Sequence, residues 1–134
     1  MSAIKIRAAL EVALNAMSPS LSTAWENQAF TPPAATVAFQ VVHIMNAQPS
    51  HAECGRNYQQ LGYMQVRLMY PLQIGSSTAT TRAELLRTTF YRGATFTASP
   101  VNVLITDTPE IMPGQVEDGR YAVVVRIRFR ANIP

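Results

Sequence analysis

The sequence predicts an α+β protein: a mostly antiparallel β-sheet with two α-helices packed on one face. Two segments repeat apolar residues with the period of a helix, and several others alternate apolar and polar residues as half-buried strands do. These segments are interspersed along 134 residues, a length typical of one domain. We therefore expect a single domain over residues 1–134.

The first predicted helix lies at the N-terminus. Ser2 can cap its start, and Ser18-Pro19 can end it after about four turns. Arg7 and Glu11 lie on its polar side, where an i,i+4 ion pair adds only a few tenths of a kcal/mol. The apolar residues that recur at helical spacing are Ile6, Leu10, Ala13, Leu14 and Met17.

A strand pair is predicted after an irregular connection over Leu21–Pro33. Thr36–Met45 is rich in β-branched and apolar residues, and Leu61–Gln73 alternates apolar residues with polar ones. Between them, Asn46–Gln60 contains proline, glycine and many polar residues, as long loops do. We expect the two strands to pair antiparallel through this loop.

The second predicted helix follows a break at Gly75-Ser76-Ser77 and continues to Gly93. Arg87 and Arg92 would lie in its last turns, where cations interact favourably with the helix dipole. Ala83, Leu86 and Phe90 keep the helical spacing. Two short strands and a loop are expected next, at Ala94–Ala98, Val101–Thr106 and Asp107–Asp118.

The last element, Gly119–Arg130, has the clearest period in the chain. Apolar residues at every second position alternate with a row that ends in Arg126, Arg128 and Arg130. In a strand, the two sets lie on opposite faces. The three arginines then lie roughly 7 Å apart, and they repel one another unless anions or water lie opposite.

The composition indicates that part of the surface meets protein. Hydrophobic residues make up 48% of the chain and charged residues 14%, below the roughly 25% charged share of typical soluble domains. Ten of the eleven cations are arginine, which suits planar pairing at interfaces, and the net charge of +3 is too small to indicate a partner by itself. The N-terminus resembles no secretory signal, and no apolar run approaches a membrane span. We expect a soluble protein made in the cytoplasm, with no membrane contact.

Motifs for catalysis and metal binding are missing from the sequence. His43, His51 and Cys54 are too few and wrongly spaced for a structural zinc site. No nucleophile-elbow or glycine-rich phosphate loop occurs. The carboxylates of the Asp107–Asp118 loop could in principle form an acid–base pair, but a solvated loop is the simpler interpretation. We expect no enzyme activity, no metal and no cofactor.

Three interpretations of the arginine row stay open. The row could face solvent, it could pair with acidic residues of a neighbouring subunit, or it could contact a nucleic-acid backbone. The sequence lacks exposed aromatics interleaved with cations, which a nucleic-acid-binding module would use.

Local sequences over almost the whole chain resemble the tail terminator family of long-tailed bacteriophages. The resemblance rests on the order of the elements and on the following short stretches. These are Ile6-Arg7-Ala8-Ala9-Leu10, Trp25-Glu26-Asn27, Phe30-Thr31-Pro32, Tyr70-Pro71-Leu72, Arg82-Ala83-Glu84-Leu85-Leu86 and the closing strand of alternating apolar and basic residues.

The resemblance implies a structural subunit of the virion tail that assembles in the host cytoplasm. Such subunits form a ring, typically a hexamer, that caps the tail tube, ends its polymerisation and offers a surface for head attachment. The implied partners are further copies of the chain, the major tail tube protein and a head-completion or connector protein, with DNA passing through the ring lumen without specific binding. A tube subunit, a head–tail connector or a small nucleic-acid-binding module are the alternatives.

Assembly surfaces of this kind tend to use sheet edges and loops. We therefore predict a self-assembly interface built from the arginine row, from acids of the Asp107–Asp118 loop and from the Asn46–Gln60 loop. The predicted interface residues are Arg126, Arg128, Arg130, Glu110, Glu117, Asp118, His51 and Arg56.

Overall fold

The fold was analysed in a computed structural model that describes residues 2–18, 21–34, 36–49, 58–73, 75–117 and 119–133. Within these ranges, the chain forms two helices and eight strands, which confirms the predicted α+β class. In chain order the elements are α1 (Ser2–Asn15), β1 (Ser22–Ala24), β2 (Phe39–Asn46), β3 (Tyr58–Pro71), α2 (Ser77–Thr89), β4 (Thr95–Ala98), β5 (Val101–Ile105), β6 (Glu110–Ile111), β7 (Gln115–Glu117) and β8 (Arg120–Ile133).

All eight strands belong to one sheet, with the order β1-β2-β3-β8-β5-β4. Strand β8 is central: it pairs with β3 along its whole length, and its other edge pairs in turn with β7, β6 and β5. Every pairing is antiparallel except that of β1 with β2. The predicted antiparallel pairing of the two strands on either side of residues 46–60 is confirmed by β2 and β3.

Both helices pack on the same face of the sheet, and the core lies between them and the strands. Helix α1 buries Ile6, Leu10 and Leu14, as its period predicts. Helix α2 buries its alanines and Leu86 against the same cluster. Each such leucine or isoleucine contributes about 1.5–3 kcal/mol when it leaves water. Alternate residues of the central strands complete the core, including Val66, Leu68, Val125, Ile127 and Phe129.

A glycine inside β3 marks a tight approach between strands. Gly62 lies opposite Phe129 of β8 and Asn46 of β2. A Cβ atom at this position would collide with the carbonyl oxygen of Met45 and with the ring of Phe129. A residue with a side chain would therefore push β2 or β8 away, because neighbouring strands have a fixed spacing.

Several predicted boundaries differ from the structure. Helix α2 ends at Thr89, so Arg92 lies beyond its last turn and only Arg87 is placed as predicted. The chain turns instead at Gly93, whose φ of 92° suits glycine.

Two regions predicted as irregular contain short strands. The Leu21–Pro33 connection includes β1, and the Asp107–Asp118 loop includes β6 and β7. These strands have two or three residues each, too few for a period to be visible in the sequence. They form because the long edges of β2 and β8 offer backbone groups that need partners.

Candidate assembly surfaces

We call the sheet face opposite the helices the open face. It consists of the outward side chains of β2, β3 and β8 and of the strands beside them. A small apolar cluster of Phe39, Met69 and Ala122 covers one end of it, together with Phe30 from the connection before β2. The arginine row lies along the same face, so its charges contribute to what this surface can contact.

Arg120, the first residue of β8, is an internal anchor. Its side chain is buried, and Nη1 donates a hydrogen bond to the carbonyl oxygen of Val37 at 2.5 Å. Nη2 donates to the carbonyl oxygens of Pro33 and Ala34 at 2.8 and 3.0 Å. The guanidinium lies 4.7 Å from the ring centroid of Phe39. Arg120 therefore holds the segment before β2 against the sheet, because its buried guanidinium satisfies its own donors with the carbonyls of that segment.

Arg126 is held by neighbouring residues of β3. Its guanidinium lies 4.7 Å from the ring centroid of Tyr63, and Nη2 donates to Oε1 of Gln65 at 3.3 Å. On the same face, Arg67 forms a 2.8 Å ion pair with Glu117 of β7. Both arginines thus make these contacts within the chain. The contacts of Arg126 hold β8 to β3, and the Arg67–Glu117 pair holds β3 to β7.

The last two arginines of the row are much less constrained. Arg128 lies 3.8 Å from Glu110, with about half of each side chain exposed, so this pair is weak. Arg130 lies between Leu61 and Leu104 in the strand register. Within the described residues, it makes no hydrogen bond, ion pair or ring contact. The C-terminal part of the open face therefore presents cations with little internal compensation.

The structure brings together five of the predicted interface residues. Arg126, Arg128, Arg130, Glu110 and Glu117 all lie on or beside the open face. Glu110 is opposite Arg126 in the register but pairs with Arg128, and Glu117 pairs with Arg67. The remaining predicted residues, Asp118, His51 and Arg56, lie outside the described residues.

On the helix side, Glu26 joins three parts of the chain. Its Oε1 accepts a hydrogen bond from the backbone N–H of Ile44 in β2 at 2.6 Å. The same oxygen lies 3.1 Å from Nη2 of Arg7 in α1, and Arg7 also pairs with Glu11. Desolvation tends to raise the pKa of Glu26, but the Ile44 N–H, Arg7 and the charge of His43 outweigh it and lower the pKa below its ordinary value. Glu26 is thus favoured as a carboxylate and ties α1 to the sheet.

A second buried arginine, Arg82, lies on the inner side of α2. Desolvation by burial lowers the pKa of Arg82 and raises the pKa of Tyr70, and the attraction between the two groups opposes both shifts. This pair lies under the helix rather than on the open face, so we assign it to packing between α2 and β3.

Sequence reasoning missed Arg120, Arg67 and Glu26 as anchors. Arg120 continues the alternate spacing of the row back through Val124 and Ala122, which was the one available signal. Arg67 and Glu117 are fifty positions apart, so no local pattern joins them.

Among the described residues, neither a cluster of metal ligands nor a helix able to cross a membrane is found. They gather no group of three or more histidine, cysteine or acidic side chains. None of their helices has both the length and the apolar character that crossing a bilayer requires.

Comparison with protein-family models identifies the family. The model described as "Phage tail terminator protein" matches residues 5–129. The chain belongs to the phage tail terminator family. This match covers most of α1, all of α2 and nearly all of the sheet, and it confirms the resemblance drawn from the sequence.

A solved structure supports the same fold over almost the entire length. It shares 26% sequence identity, covers 96% of this chain and 94% of its own chain, and superposes with a TM-score of 0.78. Comparison with curated proteins finds no match. The tail terminator described here therefore belongs to a structural family with a role in tail completion.

Proposed function

We propose that this tail terminator forms a homohexameric ring that caps the tail tube, ends its polymerisation and provides the surface for head attachment. The observation that carries the proposal is the family match, which runs over residues 5–129. In this proposal the protein is not an enzyme and uses no cofactor. It assembles in the host cytoplasm and remains in the virion tail.

The open face supplies a physical basis for contacts between copies. Arg128 and Arg130 have little compensation within the chain, so acidic groups of a neighbouring copy would gain charge-assisted hydrogen bonds there. Such pairs fix the register between subunits more than they add affinity. The proposed interface keeps the eight residues predicted from the sequence, of which five are described here.

Ring closure and termination impose two requirements. Subunits joined head-to-tail form a closed ring only when the rotation from one subunit to the next divides a full turn. Termination requires in addition that one face of the ring does not bind a further layer of subunits. We propose that one ring face binds the major tail tube protein and that the other binds the head-completion or connector protein. DNA passes through the lumen without specific binding.

Electron microscopy of the purified protein, alone and mixed with tail tubes, tests this proposal. We expect a six-fold ring at one end of each tube, and tubes that stop growing once the ring is present. Tubes that elongate normally in its presence would refute the terminator role. Binding to duplex DNA that falls steeply with rising salt would instead favour a nucleic-acid function.

Charge reversal at Arg130 tests the role of the open face. Arg130→Glu should reduce the ring population by at least about tenfold, because a repelled or unpaired charge at an interface costs more than 1.4 kcal/mol. Native mass spectrometry measures the fraction of free protein in rings, and electron microscopy measures the fraction of tubes that carry a ring. Arg92→Glu is the matched control, since Arg92 is exposed in the turn after α2 and lies off the open face. Equal ring formation by both variants would remove Arg130 from the interface.

A further inference from the structure

The two outer edges of the sheet differ in how they are covered. At one edge, β1 pairs with residues 39–41 of β2 and then leaves the sheet, because the chain turns at Asn27, whose φ is 55°. At the other edge, β4 is the last strand in the order, and no described strand pairs with its outer side. An edge strand presents unpaired backbone groups, which can pair with a strand of another chain.

Beyond β1, the outer edge of β2 is covered by Glu26. The N–H of Ala47 bonds to Leu61 of β3, so by alternation the N–H groups of Asn46 and Ile44 point away from β3. Glu26 Oε1 accepts the hydrogen bond from the Ile44 N–H at 2.6 Å. Ile44 is only 8% exposed, although the pairing with β1 has already ended. The carboxylate thus takes the place that a carbonyl of a neighbouring strand would occupy.

Helix α1 holds Glu26 in this position. Nη2 of Arg7 lies 3.1 Å from the oxygen that accepts the Ile44 N–H, and 31% of the Glu26 side chain remains exposed. The carboxylate therefore forms part of the outer surface of the edge. A strand arriving at β2 would have to displace the carboxylate from both partners, and its own carbonyl oxygens would meet a negative charge. Charged side chains are one means by which natural proteins keep sheet edges from pairing.

Strand β4 carries no charge of this kind. Its residues, Thr95–Ala98, include neither a charged residue nor a proline. The N–H of Ile105 bonds to the carbonyl oxygen of Ala94, so Ala94 faces β5, and by alternation the backbone groups of Thr95 and Thr97 point outward. Both threonines are exposed. Strand β4 is therefore an uncharged strand with a free edge, which suits it to pair with the edge of another sheet.

We propose that Glu26 prevents β4 of a second copy from pairing with the outer edge of β2. The two edges lie at opposite ends of one sheet, so their pairing is a head-to-tail contact. A head-to-tail contact that does not close generates an open filament. Without the carboxylate, the sheet of one copy would continue into the sheet of the next. This role goes beyond the proposed ring and does not depend on it, because it concerns a contact that the native protein avoids.

Glu26→Ala tests the proposal, because it frees the Ile44 N–H and removes the charge from the edge. Size-exclusion chromatography with light scattering should detect species larger than those of the unmodified protein. They should form at about tenfold lower concentration than the unmodified protein requires, since each new backbone hydrogen bond adds to the free energy of association. Infrared spectroscopy should detect new intermolecular strands. Hydrogen exchange at the Ile44 amide should be fast in dilute solution and slow in the large species, and fast exchange in the large species would contradict pairing at β2.

Proline substitutions in the Glu26→Ala background locate the association. Proline is compatible with an edge position whose N–H points away from the sheet, and it blocks a further strand there. Asn46→Pro on the β2 edge and Thr97→Pro on the β4 edge should each return the variant to the size distribution of the unmodified protein. Association that persists in either double variant would overturn a contact between β4 and β2.

The control for lost stability is Ile127→Val, which removes one methylene from the core and leaves both edges unchanged. The variants are compared at urea concentrations that give equal unfolded fractions. If Ile127→Val forms the same large species, association follows from unfolding and the proposal fails. If Glu26→Ala is unfolded, Glu26→Gln replaces it, because glutamine keeps an acceptor for the Ile44 N–H and loses only the charge. The glutamine variant should associate more readily than the unmodified protein. A folded variant that keeps the unmodified size at every concentration would show that the carboxylate does not protect the edge.

Discussion

The two ends of strand β8 carry arginines of the same row in opposite states. Arg120 is 6% exposed and donates hydrogen bonds to three backbone carbonyl oxygens, whereas Arg130 has no internal partner among the described residues. Both side chains point to the open face, and nothing in the alternation distinguishes them. The difference shows that an arginine of this row stabilises the fold only where another segment of the chain passes close enough to accept its hydrogen bonds. Elsewhere its guanidinium remains available to other molecules.

The largest effect is expected from removing the anchor. Arg120→Met should lower the free energy of unfolding by about 3 kcal/mol, because the hydrogen bonds from the guanidinium to three carbonyls and the cation–π contact with Phe39 are lost. Urea denaturation measures this loss. Arg120→Lys should be intermediate, since an ammonium cannot reach all three carbonyls in one plane. A methionine variant as stable as the unmodified protein would contradict the anchoring role.

A smaller effect is expected at the anchor on the helix side. Glu26→Gln should cost about 1–2 kcal/mol at pH 7, because the charge-assisted bonds to Arg7 and to the Ile44 N–H weaken. The folded-state pKa of Glu26 is lowered, so its stabilising contribution is complete above the ordinary pKa of about 4.3 and is lost as the pH falls through the folded-state value.

Urea denaturation at pH 7 and at pH 3 checks both the size and the sign of this effect. The difference between the unmodified protein and Glu26→Gln should shrink at the lower pH. Glu84→Gln is the matched control, because Glu84 is exposed on α2 and forms no ion pair in the described part of the chain. A difference that grows as the pH falls would show that Glu26 is not stabilised as a carboxylate.

The smallest effect on stability is expected at the free end of the row. Arg130→Ala should change the free energy of unfolding by less than about 0.5 kcal/mol, as surface substitutions without partners usually do. Ring formation should nevertheless weaken, which separates an assembly residue from a folding residue. If the same variant unfolds as readily as Arg120→Met, the contrast between the two ends of β8 is wrong.

Helix α1 shows the same contrast for apolar residues. Ile6 and Val12 are both apolar residues of α1, yet Ile6 is buried in the core and Val12 is 70% exposed. The single amphipathic stripe predicted from the sequence includes Ile6 and omits Ile4 and Val12, because a helical period identifies the most apolar face of a helix and gives no information on its other side.

Local periodicity was sufficient to predict the two helices, the four longest strands and the outward placement of Arg126, Arg128 and Arg130. The resemblance to tail terminators rested on the order of the elements and on short local sequences, and the family match over residues 5–129 confirms it. These features depend on residues a few positions apart, where the geometry of a helix or strand relates sequence to side-chain direction directly.

Apart from the Arg7–Glu11 pair within α1, only the tertiary structure decided which charged groups have partners. The contacts of Arg120 with the segment before β2 span more than eighty positions, and the Arg67–Glu117 pair spans fifty. The short strands β1, β6 and β7 likewise exist because longer strands offer them an edge. Pairing of this kind depends on which distant segments become neighbours in the folded chain. The free energy of a buried hydrogen bond therefore depends on the local surroundings of both groups and not on the identity of either residue alone.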